Sequence, residues 1–494
     1  MAYRLQAFSS VGLDQALLAL AIDEHERAEL PRLHKLWDYY RNPMRPCGEA
    51  GPSRARYRQA QEAGLPSRLV GRAGAAADDR AAQRREVVIE NDIAWRVQTM
   101  VDFMFARPIT LVSTARDERT RRTIERVLDA AWEASGGISL LQDMALLGHV
   151  YGHVDLLLRI GEIERLRGAG DELDAALRET PALRIEVVDP TRGIALTDPA
   201  DYRALAAYII TFERELNAVD RAPAAPWSRW IRGAASARRR SRIVEIVSGA
   251  FRQLYDNGAL IEQHVVEHTA GAVPVVHIQN MSQPLRYTGL SEVEPLIPLQ
   301  DELNTRLSDR ASRVTMQSFK MYLARGLDGF ERASVGPGQI WSTDNMDASV
   351  QEFGGDASSP SEESHINEVR EAMDKVSGVP PLAGGVIRAK IGNLSSANAL
   401  KITLMGILSK TWRKRVAYGR GIAEMCRLML TALDSAGILA TAPADRGVRI
   451  QWPDPLPHEP REEAQAAESK VKLGVPRERI LAELGYAPND PGVV

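Results

Sequence analysis

Apolar side chains in the first part of the chain recur every three or four residues, which is the spacing of amphipathic helices. The clearest stripe lies within 86–107, where Ile93 and Met104 share a face and Pro108 ends the pattern. The same spacing predicts three more helical segments, at 12–41, about 116–135 and 138–149. Pro31 lies inside the first of these segments, so two shorter helices are expected there.

Beyond Tyr151 the pattern changes to short runs rich in β-branched residues and separated by turn residues. The runs read VDLLLRI, LRIEVV, AAYIITFE, RIVEIVS and VVHIQN. Asp256, Asn257 and Gly258 form a sequence that is typical of a tight hairpin turn. The first part of the chain is therefore predicted to be a mixed α+β domain.

A long helix is predicted over 291–320, where leucines step along one face. Ser291 and Glu294 have the spacing of a capping box, although two prolines in the first turns favour a later start. Three short strand-like runs follow, MYLARG, QIWSTD and SVQEFGGD. A second helix is then predicted from near Ser361 to a stop at Gly378.

The glycine-rich segment LAGGVIRAKIGN comes next, followed by a very long helix that starts at Ser395 or Ser396 and ends near Gly437. At the usual rise per residue this helix would span ~60 Å. A strand, VRIQW, and two short helices complete the chain. We expect that long helices around so small a β unit cannot bury their apolar faces within one subunit. Packing of copies side by side in a ring would cover those faces.

Composition narrows the class of protein. The 494 residues, 44% hydrophobic and 26% charged, indicate a globular chain with several structural parts. The net charge of -3 argues against tight DNA binding by the surface as a whole. The two cysteines, Cys47 and Cys426, lack the spacing of a disulfide framework or a zinc ribbon, which favours a reducing compartment. No signal peptide and no membrane span are expected.

Five strings in the chain resemble, in their order and spacing, those of the portal proteins of tailed bacteriophages. They read ENDIAWRVQTMVDFMFARP, GAVPVVHIQN, GLSEVEPLIPLQDELN, SGVPP and GNLSSANALK. The resemblance covers roughly 85–494. No single string is decisive, but the set in this order is a fairly specific signal.

The resemblance implies an α+β, portal-type fold in several parts. The implied parts are a mixed α/β wing over 1–288 that includes a low-complexity loop at 43–85, a stem helix over 289–320, a small β clip over 321–358, a second stem helix over 359–380, a tunnel loop over 381–394, a very long wing helix over 395–437, and a short helical crown over 438–494. The low-complexity loop has no counterpart in the resemblance.

The function implied by the resemblance is that of a non-enzymatic subunit in a ring of about twelve copies. Such a ring forms a channel at one capsid vertex, through which double-stranded DNA is packaged and ejected. The implied partners are the large terminase subunit, a neck or adaptor protein, and the major capsid or scaffolding protein, with no membrane and no cofactor. The ring would assemble in the host cytoplasm and reside in the virion. No Walker motif occurs, so the motor ATPase would be another protein.

The predicted tunnel loop supplies candidate residues for contact with DNA. They are Gly384, Gly385, Arg388, Lys390, Gly392 and Asn393. The glycines are expected to be flexible points, and the two basic residues are expected to touch phosphates weakly and without regard to base sequence. The alternative interpretation is an ordinary surface loop.

Two aromatic residues in the predicted clip, Trp341 and Phe353, are candidates for partner docking. In so small a unit the alternative is a core between subunits. The arginine-rich segment 221–242 fits nucleic acid or capsid contact, or else a solvated loop. A basic cluster in the very long helix fits a solvated face or salt bridges to a neighbouring subunit. Its members are Lys410, Arg413, Lys414, Arg415 and Arg420.

An alternative function from another class rests on His264, Glu267 and His268, which match the HxxEH pattern of zinc peptidases. That chemistry needs both histidines on one helix face, whereas LIEQHVVEH after a hairpin turn favours a strand. A chance match is therefore expected rather than a zinc hydrolase. A second alternative is another oligomeric virion protein. His149 and His153, near Asp155, are assigned no catalytic role.

Overall fold

A computed structural model describes part of the chain as two compact units, Met1–Gln451 and Trp452–Val494. The described residues are 3–42, 88–201, 204–215, 240–318, 321–325, 347, 349–353, 359–385, 401–456, 460–475 and 480. The low-complexity segment 43–85 and most of the arginine-rich segment 221–242 lie outside them, so the predictions made for those segments remain predictions.

The helical backbone near the N-terminus runs without a break through Pro31, but a π-helical turn separates two α-helical stretches. Helix α1, Gln15–Glu24, and helix α2, Leu30–Arg41, are joined by a single π-helical turn, His25–Glu29. Pro31 lies in the first turn of α2, directly after this π turn, in which the Leu30 N–H donates to the carbonyl oxygen of His25. The Asp14 side chain accepts a hydrogen bond from the first turn of α1 and caps that helix.

Four further helices precede or interrupt the strands. They are α3, Asp92–Phe105; α4, Glu118–Ala134; α5, Gly137–Tyr151; and α6, Leu173–Glu179. The side chains of Asn91 and Asp117 accept backbone N–H groups and cap α3 and α4. Helix α6 has no counterpart among the predicted segments.

Two antiparallel sheets are built from the β-rich runs. The first has the order β3-β2-β9, with β2, His153–Ile160; β3, Leu183–Val188; and β9, Val275–Gln279. The second runs in sequence order through β4, Gly193–Thr197; β5, Leu205–Glu215; β6, Arg240–Ser248; β7, Phe251–Asp256; and β8, Ala259–Val265. The predicted hairpin turn is present, because Asn257 and Gly258 both adopt positive φ between β7 and β8.

Two strand pairs complete the described β structure. Strand β1, Thr110–Ser113, pairs with β12, Val448–Gln451. Strand β10, Met321–Arg325, pairs with β11, Ser349–Phe353. The predicted strand in QIWSTD lies outside the described residues.

Three long helices dominate the second half of the first unit. They are α7, Ile297–Ser318; α8, Pro360–Ser377; and α9, Met405–Ser435. Helix α7 follows a 3₁₀ turn, Glu294–Leu296, so it begins later than the apolar pattern does. Residues 401–403 are also helical, whereas the predicted start of this helix at Ser395 or Ser396 lies outside the described residues.

The apolar faces of α7 and α8 are buried within the subunit, contrary to our expectation from the order of elements. Leu303 on α7 and Met373 on α8 belong to one core with Leu36 of α2, Ile93 of α3 and Tyr151 of α5. The earlier helices supply the partners that the sequence pattern did not reveal. Helix α9 exposes Met405, Trp412 and Val416 in its first half, whereas α7 and α8 each expose one large apolar side chain among their described residues, Val314 and Val376.

The second unit contains one described helix, α10, Pro460–Lys472. Across the described residues of both units, no helix combines the length and apolar character needed to cross a bilayer.

Candidate functional site

The entry to α7 is fixed by a buried serine. The Ser291 hydroxyl donates to the carbonyl oxygen of Val150, at 2.6 Å, near the end of α5. It also accepts the backbone N–H groups of Val293 and Glu294, at 3.0 and 3.3 Å. The serine therefore closes the turn that leads into the 3₁₀ segment and ties the predicted stem to the preceding helix, whereas the 3₁₀ turn itself begins after Val293 without a side-chain cap.

Glu292 lies beside this serine in a buried ion cluster. Its side chain is 5% exposed, and its carboxylate contacts the ammonium groups of both Lys410 and Lys414 on α9. The distance from Lys414 Nζ to Glu292 Oε1 is 2.7 Å. Burial alone would raise the pKa of Glu292, but the two lysines outweigh it and the pKa is lowered. Burial lowers the pKa of Lys414, with Glu292 opposing the shift.

Lys410 makes a second contact that extends the cluster to α8. Its ammonium group donates to the carbonyl oxygen of Ser377, the last residue of that helix, at 2.8 Å. One side chain of α9 thus joins the start of α7 to the end of α8. Two members of the predicted basic cluster, Lys410 and Lys414, are therefore internal ion-pair partners rather than a solvated face. A third, Arg415, donates to the carbonyl oxygen of Phe103.

A second buried cation joins α3 to α8. Arg96 is fully buried, and its guanidinium group contacts the carboxylates of Asp92, at 3.2 Å, and Asp374. Nearby, Arg370 of α8 pairs with Glu90. These contacts hold α8 against α3 and against Glu90, which precedes α3. Moving α8 away would leave a buried charge without its partner, which is unfavourable.

A ladder of polar side chains on α7 holds the segment before α3. Gln300 Nε2 donates to the carbonyl oxygen of Glu90 at 2.6 Å, and Asn304 Oδ1 accepts the N–H of Glu90 at 2.9 Å. Ser308 Oγ accepts the N–H of Val88, also at 2.9 Å. These three α7 residues are fully buried and lie four residues apart, so a polar stripe at helical spacing among leucines was the signal available in the sequence.

The first two residues of the candidate loop set lie at an anchored turn. Helix α8 ends at Gly378, which has φ of +68°, and a 3₁₀ turn, Pro381–Gly384, follows. Gly384 packs against the indole ring of Trp95, where a Cβ atom would overlap the ring. Gly385 has φ of +77°, a conformation that favours glycine. The first described residues of the predicted tunnel loop are therefore packed against α3.

Most of the other candidate residues lie outside the part of the chain that the structure describes. Arg388, Lys390, Gly392 and Asn393 lie outside the described residues, as does Trp341. Phe353 is the last residue of β11, where its backbone pairs with Met321. The roles expected for these residues remain predictions.

A buried hydrogen-bond cluster surrounds Asp155 on β2. One carboxylate oxygen accepts from the hydroxyl of Tyr287 and contacts Nδ1 of His277, and the other accepts from the hydroxyl of Tyr208, each at 2.7 Å. Burial would raise the pKa of Asp155, but His277 outweighs it and the pKa is lowered. His153 is buried nearby, and burial lowers its pKa to about 4. The cluster ties the strand to the loop before α7.

The HxxEH match does not form a helical metal site. Strand β8 ends at Val265, so His264 lies on the strand and His268 in the loop that follows. His264 lies beside Glu262, whereas His268 lies beside Glu267 and Ser435. Among the residues that the structure describes, no group of three or more His, Cys, Asp or Glu side chains is placed to hold a metal ion.

A family model described as "Phage portal protein, SPP1 Gp6-like" matches residues 20–487 of this sequence. The chain belongs to the phage portal protein family. The match extends over every segment that forms the clusters described above. The resemblance inferred from the five strings is thereby confirmed at the level of the family.

Solved structures similar to this portal-family chain come from gene transfer agent particles. One is the neck of an empty particle computed with C6 symmetry, at 13% identity and a TM-score of 0.44, covering 81% of this chain and 91% of that chain. Another is the virion of the native particle, at 13% identity and a TM-score of 0.43, covering 80% and 90%. No curated protein matches the sequence.

Proposed function

We propose that this chain is the ring-forming portal subunit of a tailed phage or related particle, and that its ring is the channel for double-stranded DNA at one capsid vertex. Membership of the portal family over most of the chain carries the proposal. The mixed α+β fold, with long helices tied to it by buried ion pairs, is consistent with a rigid ring subunit. The ring would contain about twelve copies related by a closed rotation.

The parts of the ring follow the boundaries expected from the sequence. In this proposal 1–288 is the wing, and α7 and α8 form the stem. The clip at 321–358 carries Trp341 and Phe353 toward the terminase and later the neck or adaptor protein. The crown at 438–494 faces the capsid interior.

The tunnel loop is proposed to be the element that meets DNA. It leaves the body at Gly384, and Arg388 and Lys390 would face phosphates from every subunit of the ring. Such contacts must be weak and independent of base sequence if DNA is to move. The subunit would have no catalytic activity of its own, with the motor ATPase being a separate protein. It would assemble in the host cytoplasm and remain in the virion.

Electron microscopy of negatively stained protein, with mass photometry of the same sample, tests the ring. We expect particles of about a dozen subunits around a central hole. A chain that stays monomeric or dimeric over the accessible concentrations contradicts the proposal. The zinc content of the same sample distinguishes a portal subunit from the alternative, a zinc hydrolase. A zinc hydrolase would retain about one zinc ion per chain.

Replacement of both loop cations tests the proposed contact with DNA. Rings of the Arg388→Glu, Lys390→Glu variant should form normally but should bind DNA fragments more weakly, with a smaller dependence of binding on salt. The matched control is Arg122→Glu, Arg126→Glu on the exposed side of α4. Equal loss of binding in the loop variant and the control contradicts a specific role for the loop.

A further inference from the structure

A pocket lies between the end of α4, the start of α5 and the segment that leads into β1. This α4–α5 pocket has a volume of about 320 Å³, near the lower limit for pockets that hold organic groups. The apolar part of its lining consists of Pro108, Ile109, Leu111, Trp132, Ile138 and Leu141. Asp129 and Glu133 supply two carboxylates, and both residues are exposed. The pocket therefore combines an apolar lining with negative charge.

The two acids belong to a row of like charges on α4. Glu125, Asp129 and Glu133 lie four residues apart, so their carboxylates are neighbours on one side of the helix. Glu133 is in the last turn of α4, where the helix dipole disfavours negative charge. Burial, and secondarily Glu125 and Glu133, raises the pKa of Asp129. A cation held beside the pocket would relieve this repulsion.

The cations close to the pocket leave its negative charge uncompensated. Arg178 acts on Asp129 but pairs with Asp174, at 3.7 Å. Arg126 lies one turn before Asp129 and is not part of the pocket lining. Segment 125–135 contains three acids and one base, and among the described residues neither carboxylate of the pocket makes an ion pair.

The first half of α9 presents an apolar stripe to solvent. Met405, Trp412 and Val416 are 56%, 62% and 63% exposed. With Ser409 they alternate steps of four and three residues, which is the pattern of positions that meet a partner surface. Most of the second half of the helix is buried in the subunit, so the exposed stripe is a local property of residues 405–416.

Positive charge borders this 405–416 stripe. Residues 401–423 contain no Asp or Glu. Arg413 and Arg420 are exposed and lie seven residues apart, so they share one side of the helix next to the stripe. Neither makes an ion pair with a described residue, whereas Glu292 neutralises the two buried lysines of the same helix. The surface that covers the stripe should therefore be both apolar and acidic.

We infer that the 405–416 stripe of α9 in one copy covers the α4–α5 pocket of the next copy, with Trp412 in the pocket. Arg413 and Arg420 would then lie beside the pocket carboxylates. The inference rests on the proposed ring and names the surfaces that close it. A contact between two different faces is heterologous, so repetition with a closing rotation gives a ring. Trp412 is the expected dominant residue, because buried aromatic side chains carry much of the energy of such interfaces.

Mass photometry over a dilution series tests the stripe. Trp412→Glu removes the apolar contact and brings a negative charge to the pocket carboxylates. It should raise the concentration at which rings dissociate by at least about tenfold. The matched control is Leu20→Glu, at a 60% exposed position on α1, which should assemble as the wild type does. Thermal melting followed by circular dichroism separates loss of assembly from loss of folding.

Reversal of the pocket charges gives a result that damage to the fold would not give. In the Asp129→Lys, Glu133→Lys variant, the melting temperature of the dissociated subunit should not fall, because the row of like charges is broken and a lysine in the last turn suits the helix dipole. Assembly should nevertheless weaken by at least about tenfold, because the new lysines would face Arg413 and Arg420. An unchanged dissociation concentration in this variant overturns the inference.

A mixture of two charge variants identifies the partner as another copy of this chain. The Arg413→Glu, Arg420→Glu variant alone would place acids against acids, and the pocket variant alone would place bases against bases. In an equimolar mixture, every contact of an alternating ring with an even number of subunits joins opposite charges. Rings should then form at close to the wild-type concentration. A mixture that assembles no better than either variant alone overturns the pairing of these two surfaces.

The remaining outcomes separate this inference from the proposed function. Loss of assembly in the variants of only one surface overturns the pairing, because that surface then meets a different partner. Folded variants of both surfaces that form rings at the wild-type concentration overturn the inference while the proposed function stands. A wild-type chain that forms no rings at all contradicts the proposed function itself.

Discussion

The Lys414 ammonium group lies 2.7 Å from the Glu292 carboxylate in the protein interior, so the start of the predicted stem is bound to the longest helix by an ion pair shielded from water. Lys410 contacts the other oxygen of the same carboxylate. Because both lysines depend on one acid, Glu292 is the residue whose loss leaves the most buried charge without a partner.

Replacement of Glu292 by glutamine should lower the free energy of unfolding by ~3–5 kcal/mol, since two buried ammonium groups lose their counterion. Urea unfolding followed by circular dichroism measures the change. Glu294→Gln is the matched control, because that side chain is 52% exposed and its loss should change stability by less than ~0.5 kcal/mol. Equal stability of the two variants would mean that the cluster contributes nothing beyond a surface ion pair.

The elements of this region were predictable from local patterns, but their partners were not. The hairpin turn at Asn257 follows from short-range chemistry and is present, whereas Ser291 closes a turn just before the position that its capping-box spacing predicts. The pairing of Glu292 with Lys414 depends on how distant helices pack, which periodicity does not encode. For the same reason the partners that cover α7 were missed, and the helix was expected to need a neighbouring subunit. The predicted tunnel loop shows the limit, since only its first five residues, 381–385, are among the described residues.

Stability should fall as the pH drops from neutral, owing to buried histidines. Burial, and secondarily Lys414, lowers the pKa of His149 to about 3 from an ordinary value of 6.5. The unfolded chain therefore takes up a proton near pH 6.5 that the folded chain refuses until about pH 3, so stability is complete above pH 6.5 and is lost progressively below it. His149→Phe should reduce the slope of unfolding free energy against pH in this window by ~1.4 kcal/mol per unit.

The pH effect is measured by urea unfolding between pH 7 and pH 5, above the range in which Glu292 would be protonated. His264→Phe, at a 62% exposed position, is the control and should keep the wild-type slope. If the slope of unfolding free energy against pH is unchanged in the His149 variant, this histidine does not cause the difference in proton uptake between the folded and unfolded chain.

Replacing glycine by alanine should lower the stability of the protein at Gly384, where the backbone packs against Trp95, but not at an open position in a helix. Gly384→Ala places a Cβ atom against the Trp95 ring and should destabilise the protein by ~1–3 kcal/mol through overpacking. Gly406→Ala within α9 is the control, because its Cβ would have its nearest contact at 3.5 Å and alanine favours the helix. Combining Gly384→Ala with Trp95→Leu should recover part of the lost free energy of unfolding. A double variant in which Gly384→Ala still has its full cost would contradict a contact between residue 384 and the Trp95 ring.

The cluster around Asp155 predicts a large effect from a change of one atom. His277 contacts an oxygen at each ring nitrogen, Asp155 Oδ1 at 2.7 Å and the Tyr287 carbonyl oxygen at 2.6 Å, so the ring bridges β2 to the loop before α7. Asp155→Asn replaces a buried carboxylate, which has three polar contacts at 2.7 Å, by a group that is itself partly a donor. We expect the free energy of unfolding to fall by ~3–5 kcal/mol.

Urea unfolding and the near-ultraviolet circular dichroism of the tyrosines measure this change, with Asp171→Asn at an exposed position as the control. Replacing His277 by glutamine in the Asp155→Asn background should then have little further effect, since the pair acts as a unit and its contributions are not additive. Independent, additive losses would show that Asp155 supports the tyrosine hydroxyls rather than His277. In that case the junction between β2 and the loop before α7 would depend on the hydrogen bonds from Tyr208 and Tyr287 to Asp155.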